Sequence, residues 1–252
     1  MARTRIRLIE LAVALGVALV AGRAAAQSPG GSSLNTFQCY EVRPPAPFTS
    51  DKLDLVDRFG EHPTALRKTF SLCAPADLAG DDPTAPMDPA HLTAYGVRSG
   101  NTFQRVRGVT VMNEFHTLQL DLVRPARYLV PSTKGLTGPP SSPVGGMLDD
   151  FLCYKVKRAR GEGPFGIIPV PQVTTQFESA AMQLVQPRRL CAPVDENGQT
   201  PGAESHTGYL LCYRTRVDAH IPPRVVFVNN EFGQQQYGIA TRRELCVVSQ
   251  VP

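Results

Sequence analysis

Six cysteines are the most reactive side chains in this 252-residue chain, at positions 39, 73, 153, 191, 212 and 246. No C-x-x-C pair occurs, which removes the commonest zinc and thioredoxin-type spacings. Structural disulfides are the chemistry that remains. Five histidines, His62, His91, His116, His206 and His220, are scattered without H-E-x-x-H, and no G-x-S-x-G is present. Asp81–Asp82 and Asp149–Asp150 could serve acid–base work, but they fall in loops or at a strand start and read as solvated charge. Asp195-Glu196-Asn197-Gly198 resembles the opening of a calcium loop. The acidic residue that closes an EF-hand loop is missing, so the stretch reads as an Asn-Gly turn. Lys155-Val156-Lys157-Arg158-Ala159-Arg160 is the basic cluster, and it reads as a solvated strand end. The catalytic residues are therefore unknown, and the sequence implies neither a metal nor a cofactor.

The segment before these residues resembles an export leader. Arg3, Arg5 and Arg7 precede an apolar run from Leu8 to Gly22, and Ala24-Ala25-Ala26 offers a small-residue cleavage site. Residues 1–26 read as a signal peptide and 27–34 as a disordered N-terminus. The run of about 15 apolar residues is shorter than the roughly 20 that a membrane-spanning helix needs. Residues 1–26 hold four Arg and one Glu, so their removal takes the formal charge from +4 to about +1. That balance gives no case for nucleic acid, and no later stretch is a candidate membrane span. A secreted or periplasmic location follows, and it suits disulfides.

The elements that position these residues repeat four times. Opening strands read Phe37-Gln38-Cys39-Tyr40-Glu41-Val42, Leu92-Thr93-Ala94-Tyr95-Gly96-Val97, Phe151-Leu152-Cys153-Tyr154-Lys155-Val156 and Leu210-Leu211-Cys212-Tyr213-Arg214-Thr215. Second strands end at Phe59, Phe115, Phe177 and Phe232, and third strands reach Leu72-Cys73, Leu129-Val130, Leu190-Cys191 and Leu245-Cys246. Copy two lacks both cysteines and carries Ala94 and Val130 instead. Their joint loss argues for bridges closed within each copy: Cys39–Cys73, Cys153–Cys191 and Cys212–Cys246. A pairing between copies would have left orphan thiols.

Period-two alternation sets Tyr40, Val42, Tyr154 and Val156 on one face and Phe37, Cys39, Phe151 and Cys153 on the other. Both faces are apolar at the strand start, so that end is expected to be buried on both sides. Pro187 is expected to break its strand. With 23 Pro and 21 Gly, the chain is punctuated too often for long helices. The expectation is an all-β protein of four tandem repeats, about three strands each. Its layout is expected as two sandwich- or barrel-like domains: 35–131, with repeats 35–90 and 91–131, and 149–252, with repeats 149–208 and 209–252. A Pro/Gly/Ser linker at 132–148 would join them. A single four-bladed propeller-like array is the alternative.

Copy three, Phe151 to Lys157 and then Arg188 to Gly198, resembles a family of exported bacterial repeat proteins of unknown function. Copies four and one match it progressively less, and copy two only in outline. The resemblance spans about residues 35 to 250. It implies a bacterial secreted protein and brings no activity or site residues. Repetition, disulfides and absent chemistry point to a non-enzymatic binding or structural module whose partner is an extracellular protein or glycan. The alternative is a secreted hydrolase with its site between repeats.

Overall fold

The computed structural model describes residues 34–43, 52–141, 148–217 and 221–252. The expected leader at 1–26, most of the expected tail at 27–34, residues 142–147 of the expected linker and His220 lie outside them. Alternating segments, eight of them short, give twelve strands, β1 (Thr36–Arg43), β2 (Lys52–Asp57), β3 (Gly60–Leu78), β4 (His91–Ser99), β5 (Val106–Met112), β6 (Thr117–Gly135), β7 (Asp150–Arg158), β8 (Ile168–Thr175), β9 (Ser179–Glu196), β10 (Tyr209–Arg216), β11 (Arg224–Asn230) and β12 (Gly233–Ser249). Two short 3₁₀ turns are the only helical elements among the described residues. The protein is all-β, and its strands form one antiparallel twelve-stranded sheet.

Eight strands close into a ring. β1 pairs with β3, β3 with β4, β4 with β6 and β6 with β7. β7 then pairs with β9, β9 with β10, β10 with β12, and β12 with β1. Closure leaves this ring without an edge strand. The two halves expected as separate domains are thus joined by backbone hydrogen bonds at β6–β7 and at β12–β1. The chain forms one closed array across that boundary. Part of the expected linker is strand, because Thr133, Lys134 and Gly135 pair with Asn229, Val228 and Phe227. Leu34, expected in a disordered tail, is buried.

The third strand of each copy runs 17 to 19 residues, far beyond an ordinary strand. Bulges let it bend. One extra residue, Phe70, Ala126, Arg188 or Arg243, interrupts the ladder at the same place in each copy. Pro125 and Pro187 sit beside this bulge, where pairing is already broken. That is why Pro187 does not end β9 as expected. The first part of each long strand forms a hairpin with β2, β5, β8 or β11.

The two faces of the ring have different jobs. On one, the six cysteines join Leu34, Phe37, Leu92, Ala94, Leu129, Phe151 and Leu210 in a single buried cluster. One cluster that touches all eight strands of a closed ring lies on its inner face. Cystines Cys39–Cys73, Cys153–Cys191 and Cys212–Cys246 link opposed strands within it. Cys39 Sγ lies 3.7 Å from Cys246 Sγ, and Cys191 Sγ lies 3.8 Å from Cys212 Sγ. These are packing contacts between bridges, since no cystine sulfur carries a hydrogen. The outer face presents Tyr40, Tyr95, Tyr154 and Tyr213, all fully buried.

Each of these tyrosines is capped by the hairpin turn of the copy two places away. Tyr154 donates to Asp57 and receives His62 Nε2–H at 2.7 Å. Tyr40 meets Thr175 Oγ1 at 2.9 Å. Asn230 and Asn113 donate to Tyr95 and Tyr213 at 2.9 and 2.6 Å. The same four turn residues accept the amides of Phe59, Phe115, Phe177 and Phe232. Phe59, Phe177 and Phe232 then pack edge-on against Tyr154, Tyr40 and Tyr95, with centroids 5.2 to 5.4 Å apart.

Pairing also corrects the sequence alignment of copy two. Ala94 lies opposite Leu129, as Cys39 lies opposite Cys73. Leu129, not Val130, therefore holds the second cysteine position, and Val130 belongs to the outer core. Introducing Ala94→Cys with Leu129→Cys should close a fourth bridge, visible in a non-reducing peptide map. It should add up to about 4 kcal/mol to stability in urea titration. Ala94→Cys with Val130→Cys should leave two thiols titratable by an alkylating reagent after unfolding.

Candidate functional site

One residue layer beyond the cystines, the inner face changes from apolar to charged. Two positions from Cys153, Leu129 and Cys191 along their strands stand Lys155, Arg127 and Arg189. These open into a cavity of about 480 Å3 between β6, β7 and β9. Arg124, Lys157, Arg158 and Arg188 complete its cationic lining, with Ala126, Val156, Gln186 and Pro187 between them. Seven cations thus share one concave surface. A strand pair presents them on neighbouring rungs, because Lys155 lies opposite both Arg124 and Arg189.

The local charge is poorly compensated. Glu244 binds Arg189 and lies 4.0 Å from Arg188. No carboxylate comes within ion-pair distance of the other five among the described residues. Arg127 stacks on Phe70, its guanidinium carbon 3.5 Å from the ring centroid. Phe70 is seated over Gly96, where a Cβ would lie 2.5 Å from the ring. Gly96 therefore makes room for the aromatic platform. Arg127 Nε is buried without a hydrogen-bond partner. Burial pulls the Arg127 pKa down to about 10, Arg189 and Arg124 act in the same direction, and Glu244 opposes them. The guanidinium remains charged at neutral pH. Such a surface attracts carboxylate, sulfate or phosphate groups, and planar guanidinium forks bind them through paired hydrogen bonds.

The sequence located part of this site and misread it. Lys155, Lys157 and Arg158 belong to the basic cluster, and their strand end does emerge. It emerges into a cavity shared with arginines of two other strands. Arg124, Arg127, Arg188 and Arg189 had no apparent connection to it before folding. The signal was available at the layer beyond each cysteine position: Ser71 and Glu244 occupy in copies one and four the place that Arg127 and Arg189 take in copies two and three.

The other candidates disperse. His62 and His116 serve the tyrosine caps. His206 Nδ1 pairs with Asp149 Oδ2 at 2.9 Å. Asp82 organises the loop ahead of β4 by accepting the amide and hydroxyl of Thr84. Asp57, His62 and Tyr154 form a hydrogen-bonded trio, yet Asp57 and His62 are only 3–4% exposed and Tyr154 is fully buried. Asn197 and Gly198 take left-handed backbone angles, φ 51° and 73°, and Asp195 Oδ1 accepts the amide of Thr200. The carboxylate thus braces the turn. No protein-family model, curated protein or solved structure matches the chain.

His91 supplies a test of the burial at the start of β4. Its Nδ1–H donates to Pro89 O at 2.9 Å, and its Nε2 is buried without a partner. Burial lowers its pKa to about 4, with Lys134 acting in the same direction. The unfolded chain, with an ordinary value near 6.5, binds the proton more readily between pH 6.5 and 4. Stability from this group is therefore fully present above pH 6.5 and is lost as pH falls towards 4, by roughly 3 kcal/mol. In urea titrations the change in stability from pH 7 to pH 4 should be less unfavourable in His91→Gln than in the unsubstituted protein by roughly that amount.

Proposed function

We propose that this protein is an exported, non-enzymatic binding module whose cationic cavity takes the acidic groups of an extracellular glycan. The observation that carries the reading is the concentration of seven cations on one concave surface with a single ion-paired carboxylate. The mature chain has a small net charge, so this surface is a local feature and not a consequence of composition. The cavity's size suits one or two sugar residues. Its lining offers no Asp, Glu, His, Ser or Cys to act as nucleophile or general base, which favours binding over the hydrolase alternative. The three cystines suit an oxidising compartment, and the leader-like first 26 residues suit export. Membership in the bacterial family that copy three resembles is part of the same proposal.

A glycan array probed with the mature protein should show binding to uronate- or sulfate-bearing glycans over neutral ones. Affinity should fall at least tenfold between 50 and 500 mM NaCl, as expected for partly exposed charges. Lys155→Glu with Lys157→Glu should abolish it without lowering the melting temperature, because both side chains are exposed. Equal binding to neutral glycans, or no glycan bound at all, would overturn the reading.

A further inference from the structure

The opposite end of β7 carries the reverse charge. Asp150, Glu196 and Glu231 bring carboxylate oxygens within 4.8 Å of one another. They come from the start of β7, the end of β9 and the turn between β11 and β12. No Lys or Arg forms an ion pair with any of them among the described residues. Glu196 is held by Tyr128, whose hydroxyl donates to Oε2 at 2.7 Å, and by Asn197 Nδ2, which donates to Oε1 at 3.1 Å. The same phenol is within hydrogen-bond reach of Asp150, but its one proton serves only one of the two carboxyls at a time. Asp150 Oδ1 is shut off from solvent and has no hydrogen-bond partner. A buried carboxylate oxygen facing two further carboxyls is costly unless a proton or a cation sits among them. Glu231 is hydrogen-bonded to Glu196, and burial, with Asp150 beside it, pushes its carboxyl up to about 9, so at neutral pH a cation would enter in exchange for a proton.

The other copies show that this arrangement is not required by the fold. Where copy three places Glu196 near the Glu231 turn, the ring holds a cation at two corresponding sites. Lys134 reaches Gln176 Oε1, and Arg58 donates to the carbonyl oxygens of Val251 and Pro252 at 2.7 and 3.0 Å. Tyr128 also departs from the pattern, since Leu72, Leu190 and Leu245 occupy its position elsewhere. The cluster therefore gathers oxygen ligands where its counterparts supply their own positive charge or apolar surface.

We infer that Asp150, Glu196 and Glu231 form a site for one divalent cation of the calcium class. Three carboxylates, each able to bind through one or both oxygens, supply the hard, flexible oxygen set that calcium takes, with water completing the shell. Bound there, the ion would tie the β11–β12 turn to the ends of β7 and β9. The site is distinct from the EF-hand-like stretch at Asp195–Gly198, which shares only Glu196 with it.

The chain contains no Trp, so tyrosine is its only strong sensitiser for terbium luminescence. Tb3+ added to the mature protein should give emission on excitation near 280 nm, and excess Ca2+ should displace it. Calcium titration calorimetry should show one site, and millimolar Ca2+ should raise the melting temperature relative to EDTA. Glu231→Gln, a change at an exposed turn residue, should weaken calcium binding at least tenfold while the metal-free melting temperature holds or rises. Tyr128→Phe should dim the terbium signal while leaving calcium binding within a few-fold. No calcium heat and no shift in melting temperature would overturn the assignment. So would calcium binding that is unchanged in Glu231→Gln.

Discussion

Closure of the eight-stranded ring is the constraint on which the rest depends. β1 satisfies its two edges against β3 and β12, so strands from opposite ends of the chain complete one hydrogen-bonded circuit. A circuit of this kind draws the inward side chains of all eight strands together, and at the cystine layer it buries them. The inner face must therefore be filled by side chains that fit a narrow space. Cystine does so with two linked sulfurs from opposed strands, and Phe37, Phe151, Leu92 and Leu210 close the layer. Ala94 with Leu129 fills the same place by volume alone, which explains how copy two dispenses with a bridge.

Burying the inner face leaves the outer one to be covered as well. The long third strands answer this by bending at their bulges and returning hairpins over the ring. Each hairpin turn then finds a tyrosine of the copy two places on. The arrangement makes the copies interdependent: the hydroxyl of Tyr154 would lack its acceptor without the turn of copy one, and Asn230 would lack its phenol without copy two. A buried phenol left unpaired costs about 1–3 kcal/mol, so the four caps together are comparable to a large part of an ordinary domain's stability. Beyond the filled layer, the same inner face is free to carry charge, and copies two and three use it for the cationic cavity.

Much of this was legible because strand alternation is local. The faces of Tyr40 and Cys39, the three strands per copy and the burial of both faces at the strand start all follow from period two. Register and closure were not legible. Assigning Val130 to the cysteine position skipped the bulge at Ala126, which shifts the count without changing the landmarks nearby. Pro187 looked like a terminator because a lone proline gives no sign that its ladder is already broken. The linker composition at 132–148 suggested a boundary, yet its first residues find the free edge of β11. The charged sites suffered most, since Arg124 with Lys155, or Asp150 with Glu231, meet only after the ring has formed.

Native-state hydrogen exchange tests the closed ring most directly. Amides of Phe37 to Glu41 in β1 and Arg242 to Cys246 in β12 should exchange through the same global opening as those of Phe151 to Lys155 in β7. Their opening free energies should agree within experimental error and fall in parallel with added denaturant. A β1–β12 seam that opens at much lower free energy than β7, or two halves that open independently, would contradict the account.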